Sequence, residues 1–125
     1  MRYLLDSTFI IDYLRGLAGA RDRLARMFED GDEPLVNEVV VCEAWVGARE
    51  PDPALEALLR PIEFIQPGTD AARRAGRWRA DARAKGLTLS LADALVAAAA
   101  DDADAAVLTR NVRDFGLTPV RVESY

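Results

Sequence analysis

Four acidic residues stand where carboxylates could work together: Asp6 after the apolar pair Leu4-Leu5, Glu43 after Val39 to Cys42, Asp93 before Ala94-Leu95-Val96, and Asp114 shortly after the apolar run ending at Thr109. Acids with apolar flanks tend to point away from bulk solvent or into a cleft. Two like charges ~4 Å apart repel by about 4 kcal/mol at an effective dielectric near 20. A chain that gathers carboxylates therefore needs a metal, a proton or a basic partner to offset them. Oxygen-only sites suit magnesium and manganese, which keep several waters, one of them available as a nucleophile. The matching chemistry is in-line hydrolysis of a phosphodiester, with positive charge set against the attacking and leaving oxygens. Each acid also has an ordinary structural role open to it. Asp93 completes a Ser90-x-x-Asp93 capping box, Glu43 suits a solvated helix face, and Asp6 and Asp114 suit turns. The signal lies in the set, not in any one member.

Composition narrows the chemistry further. The chain has no histidine, which excludes Ser-His-Asp and Cys-His nucleophile systems, His-bound zinc and paired-His cleavage of RNA. Cys42 is the only cysteine, so neither an internal disulfide nor a cysteine zinc site is available. Carboxylates, hydroxyls, Lys/Arg and borrowed metal remain. The net charge of -5 argues against non-specific coating of nucleic acid, while local basic groups can still bind RNA. Arg110 and Arg113 flank the fourth acidic segment and are candidate contacts for a substrate phosphate. Arg73, Arg74, Arg77, Arg79 and Arg83 crowd one predicted helix and suit a solvated charged surface.

The elements that must position these residues follow from periodicity and punctuation. A chain of 125 residues, half of them hydrophobic, suits a single domain spanning residues 1–125. No apolar run approaches the ~20 residues of a membrane helix, and Asp6 interrupts any signal-like start, so no membrane association and a cytoplasmic location are expected. Strands are predicted at 2–5, 35–36, 62–65, 106–109 and 120–122. A helix capped by Ser7 or Thr8 runs to Leu14, and a second covers 17–29. Asn37 caps a third, to about Ala48, with Val39, Cys42 and Val46 on one side. Pro53 opens a short helix to Leu59. Further helices cover 70–85, closed by Gly86, and 91–101, opened by Ser90. This alternation predicts an α/β fold, a mainly parallel sheet with helices on both faces. Ligands of such sheets bind beyond the carboxyl ends of the strands, where Asp6 and Asp114 fall.

Four segments carry a family resemblance: residues 3–14 around Asp6-Ser7-Thr8, Glu43-Ala44-Trp45-Val46-Gly47-Ala48, residues 86–99 around Ser90-Leu91-Ala92-Asp93, and residues 107–115 around Thr109-Arg110-Asn111. The chain resembles the PIN-domain ribonucleases, specifically the VapC toxins of bacterial type II toxin–antitoxin pairs. The segments fall in family order across nearly the whole chain. The resemblance implies a three-layer α/β/α PIN-like domain and an endoribonuclease dependent on Mg²⁺ or Mn²⁺, with one or two ions. It also implies a cognate VapB-type antitoxin that blocks the site, and a homodimer. By the family pattern Asp6 and Asp93 hold the metal most directly, Glu43 ligates or orients water, and Asp114 supplies the fourth acid. Thr8 supports Asp6, and Thr109 and Asn111 are polar positions at the far side. The chain departs from the pattern where some relatives carry Asp at the place of Asn111, and in its Asp-Ser-Thr order after the first strand. Trp45 and Trp78 are expected mostly in the core, with part of Trp45 facing an antitoxin groove.

Other phosphoryl enzymes fit less well. A haloacid-dehalogenase type needs an Asp where Thr8 stands, and a receiver domain needs a late lysine, whereas the only one here is Lys85 at a helix end. A non-catalytic decoy that titrates antitoxin, and an RNA-processing PIN enzyme outside toxin–antitoxin systems, are the alternatives.

Overall fold

The computed structural model describes residues 1–125. In chain order the elements are β1 (Arg2–Leu5), α1 (Ser7–Leu14), α2 (Ala18–Glu29), β2 (Glu33–Val36), α3 (Glu38–Val46), α4 (Pro53–Leu59), β3 (Glu63–Phe64), α5 (Thr69–Ala84), α6 (Leu91–Asp102), β4 (Ala106–Leu108), α7 (Val112–Phe115) and β5 (Val122–Glu123). The strands form one five-stranded sheet in the order β3-β2-β1-β4-β5, and every neighbouring pair is parallel. The expected parallel α/β/α fold is therefore present.

The strand order matters for function. The chain builds outward from β1 through β2 to β3, then returns to place β4 on the other side of β1. Parallel sheets open a crevice at such a reversal, beyond the carboxyl ends of the two central strands. Here those ends lead into Asp6 and Thr109, locked side by side by the bond from Asp6 N–H to the Leu108 carbonyl at 3.0 Å.

The central strands are apolar because both their faces are covered. Leu4, Leu5, Leu35, Val107 and Leu108 have no exposed surface, each side chain contributing about 1.5–3 kcal/mol by leaving water. On α6, Val96 to Ala100 are all buried. Their small side chains let α5 come close through its own Ala71, Ala75 and Ala82, which join Leu89, Ala94 and Ala98 in a second apolar cluster. Asp93, one turn into α6, is set by this packing.

Several expectations need correction. Helix α1 starts at Ser7, with Asp6 itself at the N-cap position but making no side-chain cap bond. Its carboxylate is used elsewhere. On α3 the buried residues are Val40 and Ala44, whereas Cys42 is exposed and Val46 keeps 82% of its surface in solvent. A run of valines with one acid is apolar all round, so spacing alone cannot choose the inward face. Trp45 and Trp78 are half-buried, packed on the edge of the core and not inside it. Residues 112–115, expected as loop or turn, form the one-turn helix α7. Gly116 follows as its C-cap, where a Cβ would sit 3.2 Å from the carbonyl oxygens of Val112 and Arg113. The outer strands β3 and β5 are two residues each, shorter than their apolar runs. No helix is long and apolar enough to cross a membrane.

Candidate active site

β1 runs straight into α1, and Asp6 sits at the junction with only 3% of its surface exposed. Two hydroxyls donate to its Oδ2: Thr109 Oγ1 at 2.7 Å and Thr8 Oγ1 at 3.1 Å. Its Oδ1 takes no hydrogen bond from the protein. Thr109 in turn accepts from Asn111 N–H at 2.9 Å, and Thr8 accepts from Arg110 N–H at 3.3 Å. The turn after β4 and the start of α1 are thus stitched together around one carboxylate.

The other acids approach from helices. Asp93 lies in the first turn of α6, where its backbone N–H donates to Ser90 Oγ at 3.0 Å. That is half of a capping box, and the Ser90 hydroxyl also pulls on the Asp93 carboxylate. Asn111 Nδ2 donates to the carboxylate as well, at a long 3.4 Å. Burial and then the charge of Asp6, with lesser contributions from Asp114 and Glu43, push the Asp93 carboxyl up to about 6, against a pull from the Ser90 hydroxyl that exceeds either of those last two. Burial and Asp6 likewise raise Glu43 on α3, while the Ser7 hydroxyl holds it down. Asp93 therefore registers all three of its partners, and the expected acids form one electrostatic cluster. Asp114 joins it from α7. No three of these side chains converge into a ready-made metal cage.

Thr8 and Thr109 touch Asp6, and Asn111 touches Asp93. Arg110 does not behave as an unpaired cation. Its Nε pairs with Asp12, a carboxylate only 3% exposed, while the arginine side chain stays 53% exposed. Tyr125 Oη donates to the same Asp12 oxygen at 2.6 Å. Tyr125 first, then Asp12, raise Arg110 further into its charged form. Burial, then the bond to Asp12, push Tyr125 up to about 12. Arg113 is exposed and makes no ion pair. Sequence reasoning missed Ser7, Asp12 and Tyr125. For Asp12 a signal existed, since it stands four residues after Thr8 and so shares its helix face.

Two open grooves flank Glu43. One of about 290 Å³ is lined by Ile11, Leu14, Arg15, Ala44 and Asp52 among others. The other, about 390 Å³ and mostly apolar, lies between α3 and α6, with Val39, Cys42, Leu91 and Leu95 along it. Trp45 lines neither, contrary to expectation.

Comparison with known proteins agrees with this fold. The family model for the PIN domain matches residues 3–117. Ribonuclease VapC19 of Mycobacterium tuberculosis is 36% identical over 117 residues, covering 93% of this chain and 94% of the relative. Ribonuclease VapC10 of the same species is 36% identical over 114 residues, covering 90% and 84%. The fold is shared with solved structures of low identity. A chain of VapBC2 from Rickettsia felis, crystallised with a DNA fragment, superposes with a TM-score of 0.87 at 20% identity over 100% of this chain and 99% of that one. VapBC-1 from Haemophilus influenzae gives 0.84 at 20% identity over 99% and 98%. With the acidic cluster at the sheet's switch point and these matches across nearly its whole length, the chain belongs to the PIN-domain family, among the VapC ribonucleases.

Proposed function

We propose that this chain is the toxin of a type II toxin–antitoxin pair, an endoribonuclease that hydrolyses RNA phosphodiester bonds at Asp6, Glu43, Asp93 and Asp114. The observation that carries this reading is the gathering of the acids: burial first, and then the charges of Asp6, Asp114 and Glu43, raise the Asp93 carboxyl, beside a buried Asp6 held by Thr8 and Thr109. Like charges so gathered call for a cation. The donor set fits Mg²⁺ or Mn²⁺, one ion or two: it is all oxygen, and Asp6 keeps an oxygen that no protein group uses. A loose arrangement is no obstacle, because magnesium takes one or two carboxylates and keeps its waters. When bound, the ion supplies positive charge to the phosphoryl oxygens and makes water a stronger nucleophile.

The protein's own groups do the rest. Thr8 and Thr109 fix Asp6 and Asn111 steadies Asp93, so these acids act as ligands of set orientation. Glu43, raised by burial and by the charge of Asp6, suits the proton-accepting task beside the attacking water. Asp114 completes the charge set. Arg113, unpaired, and Arg110, at the site's edge, suit the flanking phosphates of an RNA strand. The whole of residues 1–125 acts as one domain, in the cytosol and as a homodimer. A VapB-type antitoxin blocks the site along the grooves beside Glu43; support comes from the VapBC complexes among proteins of the same fold.

The test incubates purified, antitoxin-free protein with total RNA, with Mg²⁺ or Mn²⁺ and with EDTA, beside an Asp6→Ala control. Discrete fragments that require metal and vanish in Asp6→Ala are expected. A folded wild-type chain that neither cleaves RNA nor binds metal overturns the nuclease reading and leaves a non-catalytic antitoxin decoy. An antitoxin reading frame missing from beside the gene would instead favour an RNA-processing enzyme.

A further inference from the structure

Asp12 is among the most buried charges in the protein, with 2% of its surface exposed, and the carboxylate chemistry above does not use it. It lies one turn beyond Thr8 on α1 and collects Arg110 Nε and Tyr125 Oη on one oxygen. The Tyr125 ring is itself fixed, edge-on to the buried Phe9 with centroids 4.9 Å apart. Burying the Asp12 carboxylate costs desolvation that pairing with a half-exposed arginine only partly offsets, so stabilisation alone is a weak reason for it. What the pairing achieves is to hold that arginine in one place.

That place is informative. Arg110 stands between Thr109, which donates to Asp6 at 2.7 Å, and Asn111, which reaches Asp93 at 3.4 Å. Its own N–H meets Thr8. A guanidinium has five donors in a rigid fork that matches phosphate oxygens. Asp12 and Tyr125 occupy part of the fork, and with the side chain 53% exposed the rest is open to solvent, on a residue whose two chain neighbours touch the central acids. An arginine already held loses little rotamer freedom when a ligand arrives.

We propose that Asp12 and Tyr125 are positioning residues that hold Arg110 as a preset clamp for an RNA phosphate next to the carboxylate cluster. The proposal rests on the reading of the site as an RNA site. The competing account is that Asp12 merely neutralises Arg110, and the two predict opposite signs for Asp12→Asn. Removing a negative charge near the RNA path tightens binding if charge alone counts, and weakens it if position counts.

The experiment measures binding of a single-stranded RNA oligonucleotide in EDTA across a salt series, and the KM of metal-dependent cleavage alongside. Asp12→Asn is expected to weaken binding about three- to tenfold, the entropy range of one immobilised side chain. Tyr125→Phe, which changes no charge, is expected to weaken it about threefold on the same basis, with an unchanged salt slope. Arg110→Lys, which keeps the charge and loses the fork, should match Asp12→Asn. Asp12→Asn binding as tightly as wild type or tighter, with Tyr125→Phe indifferent, overturns the clamp. Should Asp12→Asn fail to fold, Tyr125→Phe and Arg110→Lys decide. A wild-type chain that neither binds nor cleaves RNA overturns the nuclease reading along with the clamp. One that does either while the variants match it overturns the clamp alone.

Discussion

Asp6 and Asp93 belong to one cluster and are held in opposite ways. Asp6 is buried at the centre of the sheet, with two hydroxyls on a single oxygen. Asp93 is half-open at a helix start, with one long amide contact and a carboxyl raised to about 6. The first is fixed before anything binds; the second stays under electrostatic tension until a cation relieves it. The difference follows from the elements. Asp6 and Thr109 extend the two central strands, whose packing leaves them no freedom. Asp93, Glu43 and Asp114 ride on α6, α3 and α7, which meet the sheet from outside. A rigid half and a responsive half together make a site that aligns a ligand and still responds to its charge.

The largest effect on stability should come from loosening the rigid half. Thr109→Val keeps the shape and removes the shorter of the two bonds to Asp6. Leaving a buried carboxylate short of a donor costs about 1–3 kcal/mol, read as a lower midpoint in a denaturant titration. Cleavage should fall on the order of 10²-fold, because small misplacements of catalytic groups are amplified in rate. A variant as stable and as active as wild type would show that Thr8 alone suffices to hold Asp6, and the contrast between the halves would collapse.

How far the sequence revealed this site depends on whether local pattern or long-range contact decides. Asp6 was legible because an apolar run ending in an acid marks a strand's carboxyl end, and parallel-sheet topology makes that end the ligand side. Asp93 was legible because Ser90 announces a helix start. The inward face of α3 was not, because Val39, Val40 and Val41 are chemically alike and only the neighbours α1 and α6 select Val40. The Arg110 pairing was hidden for another reason. It joins residues 12, 110 and 125, and a polar residue in a short helix reads as solvated until the fold buries it. Local chemistry gave the acids; the contacts among Asp12, Arg110 and Tyr125, made across long stretches of chain, came only with the fold.

A smaller and opposite effect is expected from the responsive half. Because the folded chain raises Asp93 to about 6 from its ordinary 3.8, the folded state binds that proton more tightly than the unfolded one. Metal-free protein should therefore be most favoured below pH ~4 as far as Asp93 is concerned, and lose that contribution as pH rises toward ~6. The full shift corresponds to about 3 kcal/mol by linkage, but the group is half-exposed and solvent screening reduces this to about 1 kcal/mol. Asp93→Asn should accordingly stabilise the protein in EDTA at pH 7 by about 1 kcal/mol, with no gain near pH 4, while abolishing cleavage. Thermal melts at the two pH values check this. A variant less stable than wild type at pH 7 would mean that the contacts from Ser90 and Asn111 outweigh the repulsion.

The smallest effect tests the link between the halves. Asn111 N–H donates to Thr109 and its side chain to Asp93, so the residue spans both. Asn111→Ala keeps the first bond and loses only the second, which at 3.4 Å lies at the limit of a useful hydrogen bond. Stability should change by no more than about 0.5 kcal/mol, as for a partly exposed contact. Cleavage should fall a few fold, with most of the loss recovered by raising Mg²⁺, because a freer Asp93 can still be drawn in by the ion. Asn111→Asp sharpens the point. It leaves the backbone bond intact but sets a fifth carboxylate against Asp93, so the variant should need more metal than Asn111→Ala and lose stability in EDTA as pH rises. If both variants respond to Mg²⁺ as wild type does, Asn111 contributes only its backbone, and Asp93 is placed by α6 alone.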